Sequence, residues 1–295
     1  MTNDFLQMTK EEKIKKIDLM RIQHPNFKEA LKKISLCHKS KLKSADPQCL
    51  LITGNYGTGK TTILNYYVKQ NQKEMALENT TKKAILYGSI PSPTRINTFL
   101  EAMLDHLGDP YAIKGTIGNK QYRLVNLIKD SEVELIMLDE FQHFVHRNHQ
   151  VNHDVADCFK SIINETKVPV VLLGLDESEK VLNDNGQLKR RFSFRHHLAD
   201  FNCRNAEATS QFRILLHSID KSLPFEKLSG LKEVDMWEKF ENATKGNMSA
   251  LMKIIRTAAI EAVEANDKFI SEKRFAKAFE LHSFIMNGEN PFKFE

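Results

Sequence analysis

Cys49-Leu50-Leu51-Ile52-Thr53-Gly54-Asn55-Tyr56-Gly57-Thr58-Gly59-Lys60-Thr61-Thr62 is the stretch from which the fold of this chain is read. Residues 49–53 are a short apolar run, which predicts a buried parallel strand. Gly54-x-x-x-x-Gly59-Lys60-Thr61 then matches a phosphate-binding loop in full. Gly54, Gly57 and Gly59 let the backbone curl until successive N–H groups point at phosphate oxygens. Lys60 is spaced to reach the β- and γ-phosphates, and the Thr61 hydroxyl to ligate magnesium. Ile63, Leu64 and Tyr67 open a helix whose positive N-terminal end faces the same phosphates. Gly54, Asn55, Tyr56, Gly57, Thr58, Gly59, Lys60, Thr61 and Thr62 are therefore the expected nucleotide contacts.

Further along, Glu134-Leu135-Ile136-Met137-Leu138-Asp139-Glu140 is an apolar strand that ends in two carboxylates. Asp139, at the strand's C-terminal end, is placed to hold magnesium, partly through water. Glu140 is placed to orient and deprotonate an attacking water. His143, His146, His149 and His153 follow closely, but they have no cysteine partner and fall partly on a loop. Surface histidines are the expected reading there, in preference to a zinc site.

The chain has 295 residues, enough for one large domain or a domain with a satellite. Apolar residues make up 41% and charged residues 27%, ordinary values for a globular protein. No apolar run approaches the ~18 residues of a membrane span, and the polar N-terminus does not read as a secretory signal. Cys37, Cys49, Cys158 and Cys203 are scattered without a C-x-x-C pair, as expected of thiols in a reducing cytoplasm. The net charge of +5 weakly favours a polyanionic partner. Lysines crowd the first 45 residues, from Lys10 to Lys43, opposed by Asp4, Glu11, Glu12, Asp18 and Glu29; a solvated helix face is the expected reading, with a contact surface for nucleic acid or a partner the alternative.

In order, Thr9-x-x-Glu12 signals a helix start, His24-Pro25 a break, and Phe27, Ala30, Leu31 and Ile34 the face of a second helix. Residues 1–45 read as a helical preface. A polar turn at Asn79–Lys83 precedes a strand at Ala84–Tyr87, and Thr94 is the expected cap of a helix through Leu107. Another helix runs to about Ile128, Asn152 caps one to about Thr166, and Val168–Gly174 is the next buried strand. A short helix from Glu177 leads into Asp184-Asn185-Gly186-Gln187-Leu188-Lys189-Arg190-Arg191-Phe192. Alternating units of this kind argue for an α/β fold, a parallel sheet covered on both faces with ligands at the strands' carboxyl ends. Beyond Arg204 only helical spacing remains, on Phe212–Ile219, Val234–Phe240, Leu251–Ala258 and Ala276–Phe284. The expected domains are 1–45, a nucleotide-binding domain at 46–204, a helical lid at 205–286 and a tail at 287–295.

A phosphate loop, a strand ending Asp-Glu, an arginine pair after the following strand and a helical lid together resemble an AAA+ ATPase. Within that class the chain is similar to the TniB/TnsC family, the ATPase regulators of bacterial transposons, related to the phage Mu B protein. Gly54–Thr62, Leu135–His143 (LIMLDEFQH), Asn152–Asn164, Val170–Gly174 and Gly186–Phe192 (GQLKRRF) carry the resemblance. It implies a three-layer αβα P-loop NTPase using ATP and magnesium, nucleoid-associated in the cytoplasm. It also implies a homo-oligomeric ring or filament on double-stranded DNA, bound with little sequence preference. Such an assembly recruits and stimulates a DDE transposase, works with a target selector of the TniQ type, and is reset by hydrolysis. Arg190 and Arg191 match the position of the finger that a neighbouring subunit inserts, a group contributing about 10³–10⁵ in rate. Arg95, Lys114, Thr116 and Lys120 lie in the two loops after the second strand, loops that line the channel of AAA+ rings; phosphate contacts there fix position without reading sequence.

The chain departs from the AAA+ pattern twice. The strand that usually ends in a polar sensor ends here in Leu173-Gly174-Leu175, with Asp176 the first polar side chain. The lid's sensor arginine falls near Ser249, with Lys253 and Arg256 further along that helix. Both gaps point to slow intrinsic hydrolysis. Other readings stay open: a replication initiator or helicase loader, for which a winged-helix domain is expected after the lid; a monomeric P-loop kinase, needing no neighbour's arginine; and a nucleotide-gated scaffold with negligible turnover.

Overall fold

Thr9 and Glu12 start the first helix, α1 (Lys10–Leu19), by capping each other: Glu12 N–H donates to Thr9 Oγ1 at 3.2 Å and Thr9 N–H to Glu12 Oε2 at 2.8 Å. The computed structural model describes residues 7–41, 46–72, 74–76, 81–92, 94–144, 153–183, 186–283 and 288–293. The chain folds as two compact units, one spanning Pro25–Leu198 and the other combining Met1–His24 with Ala199–Glu295. The expected preface at 1–45 is thus divided between them.

The Pro25–Leu198 unit begins with α2 (Pro25–Ser40), β1 (Leu50–Gly54) and α3 (Lys60–Asn71), followed by a short antiparallel pair, β2 (Glu74–Ala76) and β3 (Thr81–Lys83). It continues with β4 (Ile85–Ser89), α4 (Ile96–His106), α5 (Ile117–Asp130) and β5 (Leu135–Asp139). A 3-10 turn at Phe141–Phe144 follows β5, then α6 (His153–Thr166), β6 (Val170–Gly174), α7 (Ser178–Asn183), α8 (Gly186–Arg191) and β7 (Phe194–Leu198). Five strands form one parallel sheet in the order β4-β5-β6-β1-β7.

Successive strand residues point to opposite faces, and both faces are covered. Leu51, Ile136, Leu138, Val170 and Leu172 join one apolar cluster with Phe99, Leu100 and Met103 of α4, Leu124 of α5 and Phe159 of α6. Leu50, Ile52, Leu135, Met137, Val171 and Leu173 join another with Phe27, Ala30 and Ile34 of α2 and Ile63, Leu64 and Val68 of α3. The unit is a three-layer αβα sandwich. Its second cluster corrects the reading of α2 as a preface: the apolar stripe at 27, 30 and 34 is a layer of the sandwich, because burying it removes Phe27 and Ile34 from water.

Three local expectations change. Arg95, not Thr94, is the cap residue of α4, its N–H donating to Thr98 Oγ1 at 3.1 Å, while buried Thr94 turns its hydroxyl to the Pro91 carbonyl. The basic run after Gly186 forms α8, and Phe194–Leu198 is an unexpected fifth strand. Asn152, Asp184, Asn185, Pro93, Asn79, Thr80, Phe284, Lys43 and Asp4 lie outside the described residues.

The other unit joins α1 to α9 (Ala206–Ser222), α10 (Val234–Thr244), α11 (Met248–Glu264) and α12 (Glu272–Leu281); no strand occurs among its described residues. Ile17 and Met20 of α1 enter the cluster built on Phe212, Leu216, Phe240, Ile255 and Phe275. Lys10 Nζ donates to the Glu264 carbonyl at 2.8 Å, and Arg256 Nη2 to that of Met20 at 2.9 Å. Gly246 has φ +73°, and a Cβ there would meet the Phe201 carbonyl oxygen at 1.7 Å, so the turn into α11 requires glycine. All four cysteines are free thiols, and burial pushes those of Cys37, Cys49 and Cys158 up to about 12. No described helix is long and apolar enough to cross a membrane.

Candidate nucleotide site

The strand order decides which side chains meet. β1 and β5 are separated by β6, so the loop after β1, the acids after β5 and the end of β6 share the carboxyl edge of the sheet. Within the loop, Gly57 and Gly59 take φ of +79° and +102°, backbone that a side chain would strain. A Cβ on Gly54 would meet the Leu198 carbonyl oxygen at 2.4 Å, so the loop also passes too close to β7 for any other residue. Thr58 Oγ1 closes the turn by donating to the Asn55 carbonyl at 2.9 Å.

Lys60 is 9% exposed, and its ammonium donates to the carbonyls of Gly54 at 2.7 Å and Asn55 at 2.8 Å. A buried cation held on the loop's own backbone sits where it can transfer to anionic oxygens. Thr61 Oγ1 donates to Asp139 Oδ2 at 2.5 Å, which joins the two halves of the expected site. Burial pushes the Asp139 carboxyl above its ordinary range, against the Thr61 hydroxyl and the Glu140 N–H that favour its ionised form. A hydroxyl and a carboxylate are hard oxygen donors, so this pair fits magnesium. Thr62 follows in the first turn of α3, and Tyr56 is exposed at the loop's tip.

Glu140 sits at φ +62°, uncommon for a residue with a side chain. Its N–H donates to Asp139 Oδ1 at 2.9 Å. The turn that follows is anchored by Phe141 and Phe144, both 1% exposed and packed edge-on with Phe159. Between them Gln142 is buried at 7% exposure. Its Nε2 donates to Glu140 Oε2 and its Oε1 accepts the Leu175 N–H at 3.1 Å. Gln142 was missed in the sequence, where a glutamine after two acids has no spacing signature of its own. His143 Nδ1 lies 2.9 Å from the Ile90 carbonyl, a strut between the turn and the end of β4. Of the other histidines considered for zinc, His146 and His149 lie outside the described residues, which hold no metal-competent cluster.

The two arginines differ. Arg191 Nη1 donates to Asp46 Oδ1 at 2.9 Å, its Nη2 to Asn164 Oδ1, and its carbonyl accepts the Cys49 N–H at 3.3 Å. Arg190 is exposed on α8, with no side-chain hydrogen bond or ion pair among the described residues. Arg256 is engaged at the end of α1 and Lys253 is exposed.

Arg95, Lys114 and Thr116 are all exposed; Lys114 Nζ lies 5.0 Å over the Tyr111 ring, and Thr116 caps α5 by accepting the Asn119 N–H. Arg123 braces this loop by donating to Asp109 Oδ2 at 2.9 Å and to the carbonyls of Tyr111 and Lys114. Tyr111 and Tyr122, 57% and 69% exposed, stand on the same segment and were not singled out in the sequence. Lys120 is a correction: it is 2% exposed and donates to Glu101 Oε1 at 2.5 Å and Asn97 Oδ1 at 2.8 Å. The helical period turns it inward from α5 onto α4, where it serves packing and cannot reach a phosphate. Lys120→Ala should therefore destabilise the fold by about 2–3 kcal/mol, because Glu101 loses its buried partner. Urea unfolding checks this; unchanged stability with weakened DNA binding would restore Lys120 to the DNA surface.

The family described as "Bacterial TniB protein" matches residues 13–201. No curated protein matches the chain in sequence. Among solved structures, the Cdc6p protein from Pyrobaculum aerophilum is similar, with TM-score 0.64 and 14% identity over 93% of this chain and 72% of that one. The Aeropyrum pernix ORC2 protein, in ADPNP–ADP complexes, follows with TM-score 0.63 and 16% identity over 89% and 68%. The Aeropyrum pernix ORC1 protein in complex with DNA has TM-score 0.62 and 15% identity over 90% and 66%. At these identities the likeness is one of fold, the AAA+ fold.

Proposed function

We propose that this chain, which belongs to the bacterial TniB family, is an ATP-dependent regulator of transposition that assembles on DNA. The observation that carries the reading is the grouping of Lys60, Thr61, Asp139 and Glu140 around one loop, in a chain of that family. The loop N–H groups and Lys60 would bind the phosphates, and Thr61 with Asp139 would hold magnesium. A magnesium ion held by them would supply charge neutralisation for the transferred phosphoryl group. Glu140 takes the proton of the attacking water.

The complete P-loop half of the site and the outward Arg190 support a nucleotide shared between subunits. Arg190 is the finger in this reading. Arg191 is a brace, since its guanidinium is already committed to Asp46 and Asn164. Exposed Arg95, Lys114 and Thr116 supply the sequence-tolerant contacts to duplex DNA. The assembled state recruits and stimulates a DDE transposase, in concert with a target selector of the TniQ type, and hydrolysis resets it. Structures of the same fold include one bound to DNA and one bound to nucleotide.

Mixing Arg190→Ala protein with Lys60→Ala protein tests the shared site. Each variant alone should hydrolyse ATP poorly, and the mixture should exceed the sum of the two, because some interfaces pair an intact loop with an intact finger. No gain at any ratio, with co-assembly confirmed by light scattering, would count against the shared site.

A further inference from the structure

The end of β6 lies between the phosphate loop and the acids, yet it carries no polar side chain: the strand runs out through Leu173-Gly174-Leu175. The polar group found there comes from elsewhere. Gln142, on the turn after β5, reaches the Leu175 N–H with Oε1 at 3.1 Å and the Glu140 carboxylate with Nε2. Its orientation follows from chemistry. A backbone N–H can only donate, so the carboxamide must present oxygen to Leu175, which leaves its NH₂ facing a carboxylate that can only accept. Space for this arrangement comes from Gly174, where a Cβ would stand 3.0 Å from Gln142 Oε1 and 2.3 Å from Ser178 Oγ. That hydroxyl is fully buried and makes no hydrogen bond among the described residues, so it does not compete for the carboxamide. Buried Phe141 and Phe144 fix the backbone on either side.

We propose that Gln142 is a positioning residue for hydrolysis: it ties the Glu140 carboxylate to the end of β6, where that strand offers no side chain of its own. The inference rests on the reading of Glu140 as the base for ATP hydrolysis. Glu140 sits half-buried in the left-handed region, and the Gln142 carboxamide is the hydrogen-bond partner of its carboxylate among the described residues, so without that bond the side chain is freer to change rotamer. A carboxylate that samples several rotamers spends less time aligned with the water, and misplacement by about 1 Å can cost ~10²-fold.

Two variants separate this role from simple packing. Gln142→Leu removes both hydrogen bonds; it should lower the single-turnover hydrolysis rate about 10²-fold while leaving ATP affinity within about twofold. Gln142→Glu keeps an acceptor for the Leu175 N–H, so the turn is held, but it sets one carboxyl against another. A carboxylate in place of the NH₂ cannot donate to Glu140, so the tether is lost while the turn is kept. Its single-turnover rate should therefore fall about as far as that of Gln142→Leu, with ATP affinity again within about twofold. The assays use the full chain on duplex DNA with magnesium, and Glu140→Gln as reference. If the parent hydrolyses, Glu140→Gln does not, and both Gln142 variants match the parent, the inference fails and the reading of Glu140 stands. If Gln142→Leu proves too unstable to assay, the single-turnover rate of Gln142→Glu decides. A parent that binds ATP and never hydrolyses it overturns the reading of Glu140, and this inference with it.

Discussion

Glu140→Gln should bind ATP as the parent does and hydrolyse it about 10²–10⁴-fold more slowly, while Lys60→Ala should lose ATP affinity by about 10–10²-fold. The two differ because they act at different stages. Lys60 is a buried ammonium already held by two carbonyls of the loop, so it meets the phosphates in the bound ground state. Its removal costs charge-assisted hydrogen bonds that ATP makes on binding, and it also releases the brace on the loop backbone. Glu140 bonds instead to Gln142 and, through its N–H, to the Asp139 carboxylate. Glutamine there preserves shape and takes away the basic oxygen. Binding isotherms and single-turnover hydrolysis on both variants decide the matter. Hydrolysis by Glu140→Gln at the parent rate would remove Glu140 from the role of base; unchanged affinity in Lys60→Ala would remove Lys60 from the phosphates.

ATP should raise the apparent affinity for duplex DNA by about 10²–10⁴-fold over ADP, through assembly. Each subunit offers few phosphate contacts, so a single copy should bind in the non-specific range of about 10⁻⁴–10⁻⁶ M. Many copies on one duplex raise the effective concentration for every further contact. Binding should fall steeply with salt as displaced counterions lose their driving force, and differ little between unrelated sequences. Arg95→Ala and Lys114→Ala should each flatten the salt slope by about one per subunit and leave ATP affinity intact. Both side chains are exposed, and Lys114 stands on a loop that Arg123 holds in shape, so their loss disturbs no buried partner. A titration across salt with ATP, ADP and no nucleotide tests this. Equal affinity in all three states would sink the idea that ATP controls assembly.

What the sequence alone determined was local. The loop pattern is one contiguous stretch, and the places of its glycines, Lys60 and Thr61 follow from spacing within a single strand-to-helix turn. The position of Asp139 and Glu140 at the end of an apolar strand was legible for the same reason. The capping pair Thr9 and Glu12 likewise acts across three residues. Tertiary structure decided what depends on neighbours distant in the chain. β7 was not foreseen because Phe-Arg-His-His-Leu lacks an apolar run; it is an edge strand, paired with β1 alone, whose Arg195 and His197 keep contact with solvent. Lys120 and Lys114 look alike as lysines of a basic loop, and only the packing of α5 on α4 buries one and exposes the other. Arg190 and Arg191 are adjacent, yet the helix turns one to solvent and the other onto Asp46 and Asn164. Gln142 depended most on the fold. Its meaning comes from β6 lying next to β5 in the sheet, which brings Leu175 to its side chain across 33 residues, a distance no local pattern records.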